Sequence, residues 1–259
     1  MTETRGIYTL WLREVKRYLR DRVRIVSSFV QPLLWLLIFS SGIGSALSVT
    51  SNFLPSGVEY QQYIFPGIVG QTLLFTSMFM GISVIWDREF GFLKEIMVAP
   101  ISRISIFLGK MLGDCTDALI QGVIVLILGL LLGIRFDAFA LLEILPIMVL
   151  ITFGLVSVGL VIASFMESLE SYGVIQSFVN LPLFFLSGAL FPVRGPNVPN
   201  WLQTASNFNP LTYGVDALRT VILGSAAQPL YPLYHELLVV LGFDVAMIVI
   251  GTLAFNRRR

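Results

Sequence analysis

Lys110, Asp114, Asp117 and Gln121 are spaced four, three and four residues apart, which puts all four side chains on one face of a helix. Their neighbours are apolar. Asp244 stands inside a second apolar run, amid Val240, Leu241, Phe243 and Met247. In hydrocarbon a central carboxylate costs roughly 2.5–3.5 kcal/mol on insertion scales, so each acid must be paired, protonated or wet. Two chemistries fit Asp114 and Asp117: ion pairs near an interface with Lys110 or a loop arginine, or the lining of a cytoplasmic mouth. Two also fit Asp244: a structural hydrogen bond to Gln176, Asn180 or Gln71, or a proton-linked or substrate-contacting role. Other chemistry is excluded. One cysteine, Cys115, permits no internal disulfide, and with a single histidine, His235, it cannot build a zinc site, so no metal is expected. No G-x-x-x-x-G-K-[ST] loop is present to cradle a nucleotide, and no set of residues suits a hydrolase, so the chain is not expected to be an enzyme.

The elements that must position these residues are set by composition. Hydrophobic residues are 56% of the 259 and charged residues 13%, about half the charge of a typical soluble domain. The net charge of +1 says nothing about nucleic acid, and no nucleic-acid partner is expected. A bilayer crossing needs about 20 apolar residues, and six stretches qualify: 26–47, 63–86, 107–133, 143–166, 171–190 and 236–255. The first is too long for a cleaved signal peptide. Of the 17 lysines and arginines, 14 lie before the first stretch, in the 87–110 segment that leads into the third, or at the C-terminus. The positive-inside rule then puts both termini in the cytoplasm of a multi-pass cell-membrane protein. Pro182 predicts a kink in the middle of the fifth span. Small residues of the fourth, Gly154, Ser157, Gly159 and Ala163, permit close helix packing.

Three segments lie outside the spans. Residues 1–25 read as an amphipathic helix with Ile7, Tyr8, Trp11, Leu12, Val15, Tyr18 and Leu19 on one face, lying among lipid headgroups or touching a cytoplasmic partner. Residues 87–100, DREFGFLKEIMVAP, read as a short amphipathic cytoplasmic helix stopped by Pro100. It either lies on the bilayer or seats in a groove of another protein. The outer segment, 192–234, carries the apolar stripe Leu211, Val215, Leu218 and Ile222, with Thr212, Asp216 and Arg219 opposite and an Asp216–Arg219 pair within reach.

The stretch REFGFLKEIMVAPISR with LGK (88–103 and 108–110) resembles the first cytoplasmic loop of type-2 permeases of ATP-binding-cassette transporters, in their exporter branch for drugs, lipids and polysaccharides. NPLTYGVDALR (209–219) is similar to the family's C-terminal signature through Pro210, Leu211, Tyr213 and Arg219, and VQPLLWLLIF (30–39) also fits. The resemblance implies an all-helical membrane fold of six spans, with an N-terminal interfacial helix and an outer re-entrant helical segment. It also implies a coupling helix at 88–99, with Arg88, Glu89, Phe90, Gly91, Leu93, Lys94, Glu95 and Pro100 meeting the ATPase. Two ATPase subunits would bind ATP and magnesium, this chain holding no cofactor itself. A second permease, identical or not, would complete a pathway near Gln31, Gln71, Thr72, Gln176, Asn180 and Phe184. The implied function is export of an amphiphile. A proton-coupled secondary transporter using Asp244, with Asp114 and Asp117, is the alternative. It lacks the internal repeat such folds often carry.

Overall fold

A computed structural model describes residues 2–47, 58–91, 101–137, 139–195 and 198–257. Among the described residues the regular structure is helical, with no strand. Helices α1 (Thr2–Arg20) and α2 (Arg22–Leu47) lead into α3 (Tyr60–Met80) and α4 (Ile82–Glu89), which make one rod interrupted at Gly81. Then come α5 (Arg103–Leu131), α6 (Ala140–Phe165), α7 (Leu169–Phe185), the shorter α8 (Asn200–Asn207) and α9 (Pro210–Leu223), and α10 (Leu233–Arg257).

The rod α3–α4 is the axis of the bundle. Ile64, Phe65, Ile68, Leu73 and Leu74 are fully buried, with α2, α5, α6 and α9 packed around them. Lipid offers no hydrophobic drive between helices, so close fit and polar contacts must hold them. Glycines supply the fit. Gly67 leaves no room for a Cβ against the backbone of Ala189, and Gly81 leaves none against the Tyr172 hydroxyl. That hydroxyl donates to the Met78 carbonyl, which occupies a backbone acceptor just before the break between α3 and α4 at Gly81.

Among the described residues four helical stretches are long and apolar enough to cross a membrane: Tyr60–Glu89, Arg103–Leu131, Ala140–Phe165 and Leu233–Ala254. Of the other two expected spans, the first, 26–47, lies within the continuous helix α2, and the fifth differs. α7 ends at Phe185 rather than 190, so its 17 residues rise about 25 Å. The physical reason is local. Gly188 takes φ +74°, and the last-turn carbonyls of Leu183 and Leu186 accept from Asn209 Nδ2 (2.7 Å) and Thr212 Oγ1 (3.2 Å) instead of continuing the helix. Pro182 therefore sits in the final turn of α7, not at a mid-span kink.

Helix α9 starts at the Asn209 cap, whose Oδ1 accepts from the Leu211 amide at 3.0 Å, with Pro210 in the first turn. Leu211 to Arg219 are all buried, against α3, α6 and α10. The apolar stripe is present, and the face opposite is buried too, which rules out a helix lying on a surface.

Candidate functional site: a buried charged junction beside a polar cavity

Helix α1 packs along the start of α5. Gly109 and Gly113 make the approach possible: a Cβ at either would sit 2.8 Å from the Leu10 Cβ or 2.6 Å from the Glu14 Cβ. Trp11 Nε1 donates to Thr116 Oγ1 at 3.0 Å. Glu3 reaches past the start of α5 and accepts from the Ser102 amide at 3.0 Å and from both the Ser102 and Ser105 hydroxyls. The Ser105 hydroxyl, then the Ser102 amide, hold the Glu3 carboxyl below its ordinary value. The face that α1 buries therefore runs through Leu10, Glu14 and Tyr18, rotated from the purely apolar face the sequence suggests, while Tyr8 and Leu19 stay exposed.

At the centre of this contact lies Lys110, with 0% of its surface exposed. Its Nζ donates to Asp87 Oδ2 at 2.5 Å and to Glu14 Oε1 at 3.2 Å. Arg13 grips Asp87 with both guanidinium nitrogens, at 2.7 and 3.3 Å, and reaches Glu14 at 2.9 Å. Arg17 adds a contact to Glu14 at 3.8 Å and covers the Trp86 ring at 5.1 Å. Three cations and two acids from α1, α4 and α5 thus meet, with Lys110, Glu14 and Asp87 buried and Arg13 and Arg17 covering them from the partly exposed side. Asp114 and Asp117 line a small gap that also touches Glu14 and Arg17. The first partners of Lys110 are Glu14 and Asp87 rather than the acids of its own stripe.

Immediately beyond this junction, Arg88 Nη1 donates to the Met166 carbonyl at 2.7 Å, tying the end of α4 to the α6–α7 turn. Phe90, 83% exposed, and Gly91, at φ +75°, then turn the chain away.

Beside the junction a cavity of about 440 Å³ opens at the α1 end of the bundle. Arg17 and Asp21 stand at its mouth. Phe75, Phe79 and Trp86 form an aromatic wall, and Gln31, Thr76, Gln121 and Gln176 supply polar groups. A narrower extension of about 30 Å³ reaches Pro32, Gln71 and Thr72.

At the opposite end α9 is clasped to α3 and the α7–α8 connection. Arg219, 5% exposed, donates to the Gly188 carbonyl at 2.7 Å, meets Asp216 at 3.4 Å and lies 4.1 Å over the Tyr63 ring. Tyr213 donates to the Asn207 carbonyl at 2.9 Å, and Tyr60 to that of Leu190 at 3.0 Å.

A family model described as ABC-2 type transporter matches residues 5–223. This chain belongs to that family. A putative transport permease, ycf38, of Cyanophora paradoxa is 33% identical over 77% of this chain and 68% of its own length. The daunorubicin resistance ABC transporter permease protein DrrB1 of Streptomyces coeruleorubidus is 28% identical over 84% and 74%. The inner membrane transport permease YadH of Escherichia coli is 24% identical over 98% and 96%. The chain is the membrane permease component of an ABC transporter, and the family implies ABC ATPase partners.

In this ABC-2 permease the sequence-named residues separate into groups. Gln31, Gln71, Thr72 and Gln176 come together around the cavity and its extension. Phe184 stands behind that wall, edge-on to Phe75 and Trp35, and Asn180 is buried outside both linings. Arg88 and Glu89 close the α4 helix, so the span-to-loop boundary shifts from 86 to 89. Leu93, Lys94, Glu95 and Pro100 lie outside the described residues. Pro210, Leu211, Tyr213 and Arg219 begin and fasten α9. The Asp216–Arg219 pair is present, and Arg219 is buried with it.

Asp244 lies against Gly154 of α6, not against Gln176, Asn180 or Gln71, because α10 packs on α6 where the missing Cβ makes room for a carboxyl. The permease residues that sequence reasoning passed over are Asp87, Glu14, Thr76 and Glu236, while Gln121, named there with the stripe of Lys110, falls in the cavity wall. Glu236 is fully buried near Asp216.

Proposed function

We propose that this permease is the pathway half of an ATP-driven exporter, with the junction of α1, α4 and α5 carrying force from a partner ATPase into the bundle. The observation that carries the reading is the place of Asp87. It is gripped by Arg13 and Lys110 one turn before the chain leaves α4 for the 90–102 loop, and Arg88 beside it binds the α6–α7 turn. A push on that loop would move α1, the α3–α4 rod, α5 and α6 together rather than bend one helix. The ATPase seats on residues 88–99, two ATPases serve two permeases, and both termini of this chain lie in the cytoplasm. α7, α8 and α9 then form the re-entrant end that closes the pathway on the outer side. Support comes from family membership, from the charge asymmetry of the loops, and from a cavity that opens at the same end as the junction.

The experiment is co-purification of the intact chain from native membranes with and without residues 88–99. Nucleotide-hydrolysing activity is expected to accompany the full chain and to leave with the deletion, while membrane insertion persists. Retention of that activity by the deletion would refute the seat. A secondary transporter would lose transport when the proton gradient is collapsed at constant ATP; the exporter would not.

A further inference from the structure

Gln71 is 4% exposed, and its amide nitrogen has no hydrogen-bond partner. An unmade donor in a buried site is costly, about 1–3 kcal/mol, and native interiors rarely leave one. It faces the inner extension of the cavity, where its neighbours' hydrogen-bonding capacity can be traced. Thr72 Oγ1 is occupied by the Ile68 carbonyl at 2.9 Å. Thr76 Oγ1 donates to Gln121 Oε1 at 2.6 Å, which leaves the nitrogen of that amide as its available end. Gln31 lines both compartments and Gln176 the larger one. The polar groups ahead of any guest are thus side-chain amides with N–H donors to offer.

Charge is confined to the mouth. Among the described residues lining the two compartments, only Arg17 and Asp21 ionise, and Arg17 is already held by Glu14 and Trp86. A carboxylate, phosphate or ammonium carried to the depth of Gln71 would lose its hydration with no countercharge to replace it. A carbonyl, ether or hydroxyl oxygen there would satisfy the amides at no such cost. Phe75, Phe79 and Trp86 offer flat apolar surface to the rest of the molecule. A volume of about 440 Å³ matches one drug-sized guest.

We infer that the cavity binds an uncharged amphiphile, its oxygen acceptors on Gln71 and Gln121 and its apolar body on the Phe75–Phe79–Trp86 wall. This inference rests on the pathway reading above and names the substrate class for it.

The test uses the full chain in phosphatidylcholine nanodiscs, without any ATPase, and a matched pair of probes: the methyl ester of 7-methoxycoumarin-4-acetic acid and the free acid. Binding is read by energy transfer from tryptophan to the coumarin, with empty nanodiscs subtracted. The neutral ester is expected to bind about tenfold more tightly than the acid or better. Gln71→Leu and, separately, Gln121→Leu are each expected to weaken the ester about fivefold or more, leaving the acid unchanged. Phe75→Ala is expected to weaken both probes. Equal or tighter binding of the acid in the wild-type chain overturns the inference, as does full ester affinity in both glutamine variants. Monogalactosyl diacylglycerol added to the disc distinguishes the source of the oxygens: displacement of the ester assigns them to a lipid headgroup, and no displacement to a free amphiphile, each consistent with the site. If no ATPase co-purifies but the ester–acid discrimination holds, the exporter reading fails and the binding site stands.

Discussion

Replacing Lys110 by methionine keeps the length of the stem and removes the cation from the centre of the junction. Asp87 then loses a contact of 2.5 Å and Glu14 one of 3.2 Å. Removing one partner of a buried ion pair costs about 3–5 kcal/mol when the other charge is stranded. Here both acids keep arginine contacts, and Arg13 and Arg17 are 30% and 37% exposed, so their charges are partly screened. The expected loss is therefore at the lower bound, about 3 kcal/mol. Glu14→Gln alone strands positive charge instead, since Lys110 and Arg13 then share only Asp87, and about 2 kcal/mol is expected for a charged hydrogen bond lost. Combining the two substitutions leaves the Arg13–Asp87 pair intact and nearly neutral. The double variant should accordingly be less destabilised than the two single losses together, by about 1–3 kcal/mol. The assay is a double-mutant cycle of unfolding free energies in mixed micelles titrated with dodecyl sulfate. Additivity within about 0.5 kcal/mol would show that the two side chains act independently and would refute the junction as one electrostatic unit.

Gly113→Leu should pry α1 from α5, since even a Cβ would meet Glu14 at 2.6 Å; a rise in protease cleavage within residues 2–20 is the readout, and unchanged protection counts against the packing. Glu3 gives a pH dependence. Its carboxyl in the folded chain titrates below the ordinary value of 4.5, so its stabilising contribution is fully present above 4.5 and is lost as pH falls through the lowered folded value. Carbon-13 titration of labelled Glu3 should show the low midpoint, and Ser105→Ala should move it back up. Arg219→Lys loses the fork that serves the Gly188 carbonyl and Asp216 together, and an outcome of about 1.5–3 kcal/mol lower stability is expected in thermal unfolding. Gly154→Ala forces a methyl into the space of Asp244 and Phe243, for about 1–3 kcal/mol of overpacking; Asp244→Gly should relieve it in the double variant.

Long apolar runs were legible in the sequence because hydrocarbon demands them, and α3–α4, α5, α6 and α10 follow those runs closely. Ends governed by distant side chains were not. α7 stops early because Asn209 and Thr212, some 26 residues on, take its terminal carbonyls. The apolar stripe of α9 was legible, while the burial of its polar face was hidden, since Arg219 reaches the backbone oxygen of Gly188 and lies over a ring from α3. Asp87 escaped notice for a related reason: it looked like the first residue of a loop, and its partners lie 74 and 23 residues away. Asp244 misled in the reverse sense. A search for polar partners cannot find a glycine, yet Gly154 is what accommodates that carboxyl. The amides of the cavity could be named singly from their apolar surroundings. That Gln71 and Gln121 share one compartment depended on the way α3 and α5 cross.

The central claim is that motion reaches the bundle from a nucleotide-hydrolysing partner at the end of α4. The most direct measurement is photo-crosslinking in native membranes from a benzoylphenylalanine placed at Phe90, the exposed side chain next to the junction. A cross-linked polypeptide that binds ATP is expected, with labelling blocked from the outer side of intact cells. Labelling of position 90 by an impermeant reagent added outside, or cross-links to lipid alone, would contradict it.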